Sequence, residues 1–126
     1  MKNLLLICMF FLTGSLMAQD PTSNAYKLIQ AGNARDLSAL FTDNLDLVVD
    51  DYDDIASKSQ AEGILKKFFE KNPPKLYKTI QEGVTQLGIQ YRIGELETAN
   101  GKFKVTFNLK KVGESLLIHQ FKIEKE

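Results

Sequence analysis

The spacing of apolar residues changes several times along the chain, and each change marks an element. Ala25, Leu28 and Ile29 stand at the i, i+3, i+4 spacing of one helical face and Gly32 stops the segment, which predicts a short helix over 24–30. A second helix begins at once. Asn33 can cap it through its side-chain oxygen, Asp36 falls near the positive end of the helix dipole, and Leu37, Leu40 and Phe41 form its apolar edge. The period then drops to two: Leu45, Leu47 and Val49 alternate with Asn44, Asp46 and Val48, as in a half-buried strand, until Asp50-Asp51-Tyr52-Asp53-Asp54 breaks the pattern. The most regular helix follows, opened by a capping box of Ser57 with Gln60 or of Ser59 with Glu62. Its apolar face is Ala61, Ile64, Leu65, Phe68 and Phe69. Asn72-Pro73-Pro74 ends it, because proline has no amide hydrogen to donate and restricts the residue before it.

From Lys75 onward every segment reads as strand, over 75–82, 89–98, 102–111 and 115–124, with a connection over 83–88. Asn100-Gly101 is a strong hairpin signal, since both residues tolerate positive φ. A two-residue turn there pairs Thr98 with Phe103 and Leu96 with Val105. An unbroken ladder would then leave Ile93 and Tyr91 on the polar face, so a bulge is expected at Gly94-Glu95, which returns Ile93 to Phe107 and Tyr91 to Leu109. At the next hairpin a three-residue turn, Val112-Gly113-Glu114, sets Leu117, His119, Phe121 and Ile123 on the apolar face. A two-residue turn would put Leu116 and Ile118 there instead. The three-residue form is preferred because it brings Phe121 and Ile123 into the core.

The first eighteen residues differ in kind. Lys2 precedes an unbroken apolar run from Leu4 to Leu12, and Thr13-Gly14-Ser15 leads to Met17-Ala18, the layout of a cleavable export signal. The run is nine residues, against about 20 needed to cross a bilayer, so no membrane anchor is expected after cleavage. The cut falls after Ala18 or after Ser15. The domain division is therefore 1–18 as signal and 19–126 as one domain, destined for the periplasm or the cell exterior. Cys8, the only cysteine, leaves with the signal, which excludes a disulfide framework, a thiol nucleophile and thiolate metal ligation in the mature chain. With 44% hydrophobic and 25% charged residues, the chain is an ordinary globular one. Its 16 basic residues match 16 acidic ones, so no long-range field draws it to nucleic acid.

The order of elements, α-α-β-(β)-α-β-β-β-β, resembles the nuclear transport factor 2-like superfamily, an α+β cone in which helices pack on a curved antiparallel sheet. More narrowly, the chain is similar to the domain of unknown function 4783 family, small exported proteins mainly of Bacteroidota. The resemblance rests on Gly32-Asn33 with Leu37 and Phe41, on Ser57-Lys58 with Gln60-Ala61-Glu62, on Ile64-Leu65-Lys66 with Phe68-Phe69, on Asn72-Pro73-Pro74, on Tyr91 with Ile93-Gly94, and on the ending Gln120-Phe121-Lys122-Ile123-Glu124. It carries no activity with it. What it implies is a conical cavity of the kind that related families use for small molecules, peptides or subunit contacts.

His119 is the only histidine and, on the preferred register, faces inward across from Phe107. It reads either as a hydrogen-bonded core residue or as a pocket group with Asp46 and Tyr91 as partners. The expected ligand-pocket residues are therefore His119, Tyr91, Phe107 and Asp46. No catalytic residue, metal ligand or cofactor is assigned. Asp51, Asp53, Ser59 and Glu62 fall at four positions of an EF-hand loop, but Ile55 and Ala56 break it, so the acidic run reads as a solvated turn. Lys102, Lys104 and Lys110 project from one side of their strand and keep that face soluble, while Leu116 and Ile118 there suggest a homodimer contact. The function that fits is a non-enzymatic module binding a small apolar ligand or a peptide. The alternative is a cofactor-independent lyase, isomerase or hydrolase of the ketosteroid isomerase type, with an acid and a base in the cavity. If the helix ending at the double proline roofs the core, Phe68→Ala lowers the unfolding free energy by about 3–5 kcal/mol in chemical denaturation.

Overall fold

The corner between the first two helices follows from one glycine. Gly32 takes φ 66°, its amide donates to Ile29 O at 3.0 Å, and the Asn33 amide reaches Leu28 O at 2.9 Å, so the chain turns without leaving carbonyls bare. Asn33 then caps the next helix, its Oδ1 accepting from the Asp36 amide at 3.1 Å.

A computed structural model describes residues 20–126; the signal read at 1–18 lies outside the described residues. A 3-10 turn at Pro21–Asn24 precedes α1 (Ala25–Ala31) and α2 (Ala34–Ser38). Then come β1 (Phe41–Val49), β2 (Tyr52–Ser57), α3 (Lys58–Lys71), β3 (Pro74–Val84), β4 (Gln90–Thr98), β5 (Gly101–Val112) and β6 (Ser115–Lys125). The α+β order is as expected, with three differences of detail. Phe41 opens β1 rather than closing α2. The acidic run is half strand: only Asp50 and Asp51 turn, Asp50 with φ 53°, and Tyr52–Ser57 pairs back on β1. The sheet is mixed, because β1 of that early hairpin lies parallel to the last strand in the order β2-β1-β6-β5-β4-β3; all other pairs are antiparallel.

Of the two capping boxes the sequence offers for α3, Ser57 with Gln60 forms. Ser57 Oγ accepts from the Gln60 amide at 3.2 Å and Gln60 Oε1 accepts from the Ser57 amide at 3.0 Å. Leu65, Phe68 and Phe69 are buried, Ile64 partly so, and Phe68 meets Phe103 edge-on at 5.0 Å between ring centres. On β6, Phe121 is fully buried between Phe41 (5.6 Å) and Phe107 (5.8 Å). This aromatic row is the centre of the core.

Two registers differ from expectation. At the β4–β5 hairpin Thr98 pairs with Gly101, so the turn is Ala99-Asn100. Positive φ falls on Gly101 alone, at 119°, while Asn100 turns its side chain to the end of α3, donating to Lys71 O at 2.7 Å and Asn72 Oδ1 at 3.1 Å. From there the ladder runs unbroken to Gln90, with no bulge at Gly94-Glu95. Gly94 and Arg92 therefore face inward with Leu96, while Ile93 and Tyr91 face outward. The inward slot at Gly94 is filled by the Tyr77 ring of β3, which lies where a Cβ would stand. The extra residue sits instead in β3, at Ile80, between the pairs Thr79 with Gly94 and Gln81 with Ile93.

At the β5–β6 hairpin Val112 pairs with Ser115, so the turn has two residues, with Gly113 left-handed at φ 62°. Ile118 is thereby buried opposite Leu109, the outcome not preferred from the sequence. Phe121 and Ile123 are buried as well, because β6 carries an extra residue, His119, between Ile118 and Gln120. Each turn reading thus holds for half of the strand, and Ile118 is removed from the outer patch assigned to it.

The tight fit of Tyr77 over Gly94 predicts that Gly94→Ala destabilises the fold by about 1–3 kcal/mol through overpacking. In a Tyr77→Ala background most of that cost disappears, so a double-mutant cycle by urea denaturation reads the coupling directly; strictly additive losses would refute the contact.

Candidate functional site

The four residues expected to share a pocket are not brought together. Phe107 is buried on the inner face and lines a recess. Tyr91 stands on the outer face opposite Asn108, its ring across Gly83 and its hydroxyl accepting from Gln81 Nε2 at 3.0 Å. An inward Tyr91 requires a bulge before it, and the ladder has none there. Asp46 is exposed on the outer face, between Ile55 of β2 and Gln120 of β6, at a shallow depression shared with Asp53, Lys122 and Glu124. The alternation that buries Leu45 and Leu47 forces it there. His119 is not across from Phe107, which pairs with Phe121. As the bulge residue it borders a separate recess of about 330 Å³ with Ile89, Leu109, Lys110 and Lys111. Its Nδ1 is buried without a hydrogen-bond partner among the described residues, so it is not the satisfied core histidine either.

The recess that Phe107 lines lies between the N-terminal segment and the inner face of β3–β5, and encloses about 190 Å³. Asp20, Thr22 and Tyr26 form one wall; Tyr77, Thr79 and Glu82 of β3 and Arg92 of β4 form the other. Asp20 holds its wall by capping the 3-10 turn: its Oδ1 accepts from the Thr22 amide at 3.1 Å and from the Thr22 hydroxyl. Arg92 is placed by strand alternation, two residues beyond Gly94 on the inner face, with its side chain only 20% exposed. Its Nε lies 3.8 Å from Glu82 Oε2 and its Nη1 donates to Tyr91 O at 3.4 Å. Burial pushes the Tyr77 phenol up to about 12; the nearby Glu82 carboxylate adds to the rise and Arg92 opposes it. The phenol is therefore a hydrogen-bond donor at any physiological pH. Among the described residues no group of His, Cys, Asp or Glu side chains is placed to hold a metal ion.

Sequence reasoning missed Arg92, Glu82 and Tyr77. A signal exists: counting back by twos from Leu96 without interruption reaches Gly94 and then Arg92. It is easily passed over, because a glycine and an arginine make a poor apolar face, whereas Tyr91 and Ile93 make a good one.

The model of the DUF4783 family, a domain of unknown function, matches residues 22–124. The chain belongs to this family. A DUF4783 protein from Bacteroides ovatus is 30% identical and superposes with a TM-score of 0.76 over 82% of this chain and 94% of that one. One from Bacteroides fragilis is 27% identical, with a TM-score of 0.76 over 82% and 97%. At 16% identity, a structure provisionally described as a calcium/calmodulin dependent protein kinase II association domain from Xanthomonas campestris gives 0.60 over 82% and 81%. That likeness shows the fold alone, which is nuclear transport factor 2-like. No curated protein matches.

The displaced phenol titration is directly measurable. A folded value above the ordinary 10.0 means the native state holds its proton more tightly. The stabilising contribution is complete below pH 10.0 and is lost as the pH rises towards about 12. Ultraviolet difference titration should show a late phenol step in the parent chain that is missing from Tyr77→Phe, whose stability should also fall less steeply across that window.

Proposed function

We propose that this DUF4783 chain is an exported, non-enzymatic binding module holding a small ligand in the recess between its N-terminal segment and β3–β5. The observation that carries the reading is Arg92. A guanidinium withdrawn from water on the apolar face of a sheet costs free energy unless it is well paired. Its pair with Glu82 is long, at 3.8 Å, and Glu82 is itself 58% exposed, so the compensation is small. A position that does little for stability and opens onto a recess is better explained by what it contacts there.

The size and lining of the recess refine the ligand. Sites for drug-sized molecules enclose about 300–1,000 Å³; this one encloses about 190 Å³, too little for more than a single residue of a peptide. Its polar wall favours a ligand that is polar at one end over a wholly apolar one, with the Phe107 ring as the apolar surface. The acid–base alternative gains nothing from this arrangement, since Asp46 and Tyr91 lie on the outer face and His119 borders a different recess. Export is supported by Lys2, the apolar run of 4–12 and Met17-Ala18. The ligand is then a solute of the periplasm or the medium.

Native mass spectrometry of the chain purified without refolding tests this. A bound small molecule should be released by Thr79→Trp, which fills the recess from an exposed position without disturbing the buried core. Absence of any adduct in the parent chain, or equal adducts in both, would count against the proposal.

A further inference from the structure

The charges around the recess narrow its ligand further. Among the described residues of its wall, Arg92 is the cation and Glu82 and Asp20 are the anions. Arg92 offers more donors than it uses: Nε faces Glu82 and Nη1 reaches Tyr91 O, while Nη2 has no protein partner among the described residues. The planar guanidinium fork matches a carboxylate, and the Tyr77 phenol, which lines the same recess, adds a donor. A carboxylate alone would nonetheless be repelled by Glu82 and Asp20, because Glu82 already offsets the single positive charge. Both acids have acceptor capacity to spare. Glu82 uses one oxygen towards Arg92, and Asp20 uses Oδ1 for its turn, leaving the other oxygen of each without a protein partner among the described residues. A ligand that carries its own cation satisfies all three groups at once.

We infer that the recess binds a small zwitterion of the amino-acid type, its carboxylate on Arg92 and its ammonium on Glu82 and Asp20, its side chain against Phe107. This deepens the binding role proposed above and rests on it. The volume of about 190 Å³ limits the ligand to the size of one free amino acid. Thr79 and Thr22 supply neutral polar wall, and nothing in the lining calls for a second anionic group such as a phosphate.

The test uses isothermal titration calorimetry on the purified chain, first with the common free amino acids. The tightest binder is then compared with the analogue lacking its ammonium and the analogue lacking its carboxylate. Each analogue should bind about tenfold to a hundredfold more weakly, the factor that follows from removing one charge-assisted hydrogen bond. Arg92→Gln should weaken the amino acid by a similar factor, and Arg92→Lys by less, since lysine keeps the charge but not the planar fork. Glu82→Gln is the diagnostic variant: it should weaken the amino acid yet tighten the ammonium-free carboxylate. Circular dichroism confirms that each variant folds, and Glu82, more than half exposed, carries little risk to folding. Equal affinity for the amino acid and its ammonium-free analogue, or no reversal in Glu82→Gln, overturns the assignment. If no amino acid binds while native mass spectrometry still finds an adduct released by Thr79→Trp, the zwitterion is wrong and the binding role stands. If neither is seen, both fall.

Discussion

Strand β6 places Ile118 and Phe121 in the same core although they stand three positions apart, an odd step that in a regular strand puts side chains on opposite faces. The extra residue at His119 resolves the conflict, and the sheet depends on it. Before the irregularity, the two-residue turn at Gly113-Glu114 dictates which residues face inward. After it, the aromatic contact of Phe121 with Phe41 and Phe107 dictates the opposite parity. The parallel partner β1 adjusts at the same level, its pairing passing from Phe41 with Ile118 to Asp46 with Gln120. Without the shift, Phe121 and Ile123 would turn to water and the aromatic row through Phe41, Phe121 and Phe107 would be broken.

The other edge of the sheet solves a related problem differently. Gly94 and Arg92 leave the inner face of β4 short of apolar volume. Tyr77 of β3 fills the first gap from the neighbouring strand, and Ile80 absorbs the extra residue that brings Glu82 opposite Arg92. The second gap is left as the recess. The proposed site is thus the part of the inner face where packing is incomplete and charge is tolerated, with the N-terminal turn as its outer wall.

Much of this was legible in the sequence, and the failures share one cause. The Gly32-Asn33 corner, the buried face of α3, its stop at Asn72 and the alternation of β1 were all readable, since each depends on local spacing and capping. The family follows from the same local features. The register of β4 and the pocket it creates were not readable, because assigning faces by apolarity assumes that each strand supplies its own core residues. Here Tyr77 supplies volume for Gly94 across the ladder, so the inward row contains a glycine and an arginine, and the apolar pair Tyr91 and Ile93 lies outside. His119 was misplaced for a related reason: one turn length was assumed to fix the whole strand, whereas the bulge allows both parities in turn.

Asn100 ties the tip of the β4–β5 hairpin to the last carbonyl of α3, 29 residues earlier, and its own carbonyl accepts from Lys125 Nζ at 2.7 Å. Three stretches remote in sequence therefore meet at one knot. Lys71 O gains this partner only once the chain has passed Asn100, and the knot closes only when Lys125 arrives, which makes this end of the molecule late to consolidate during folding.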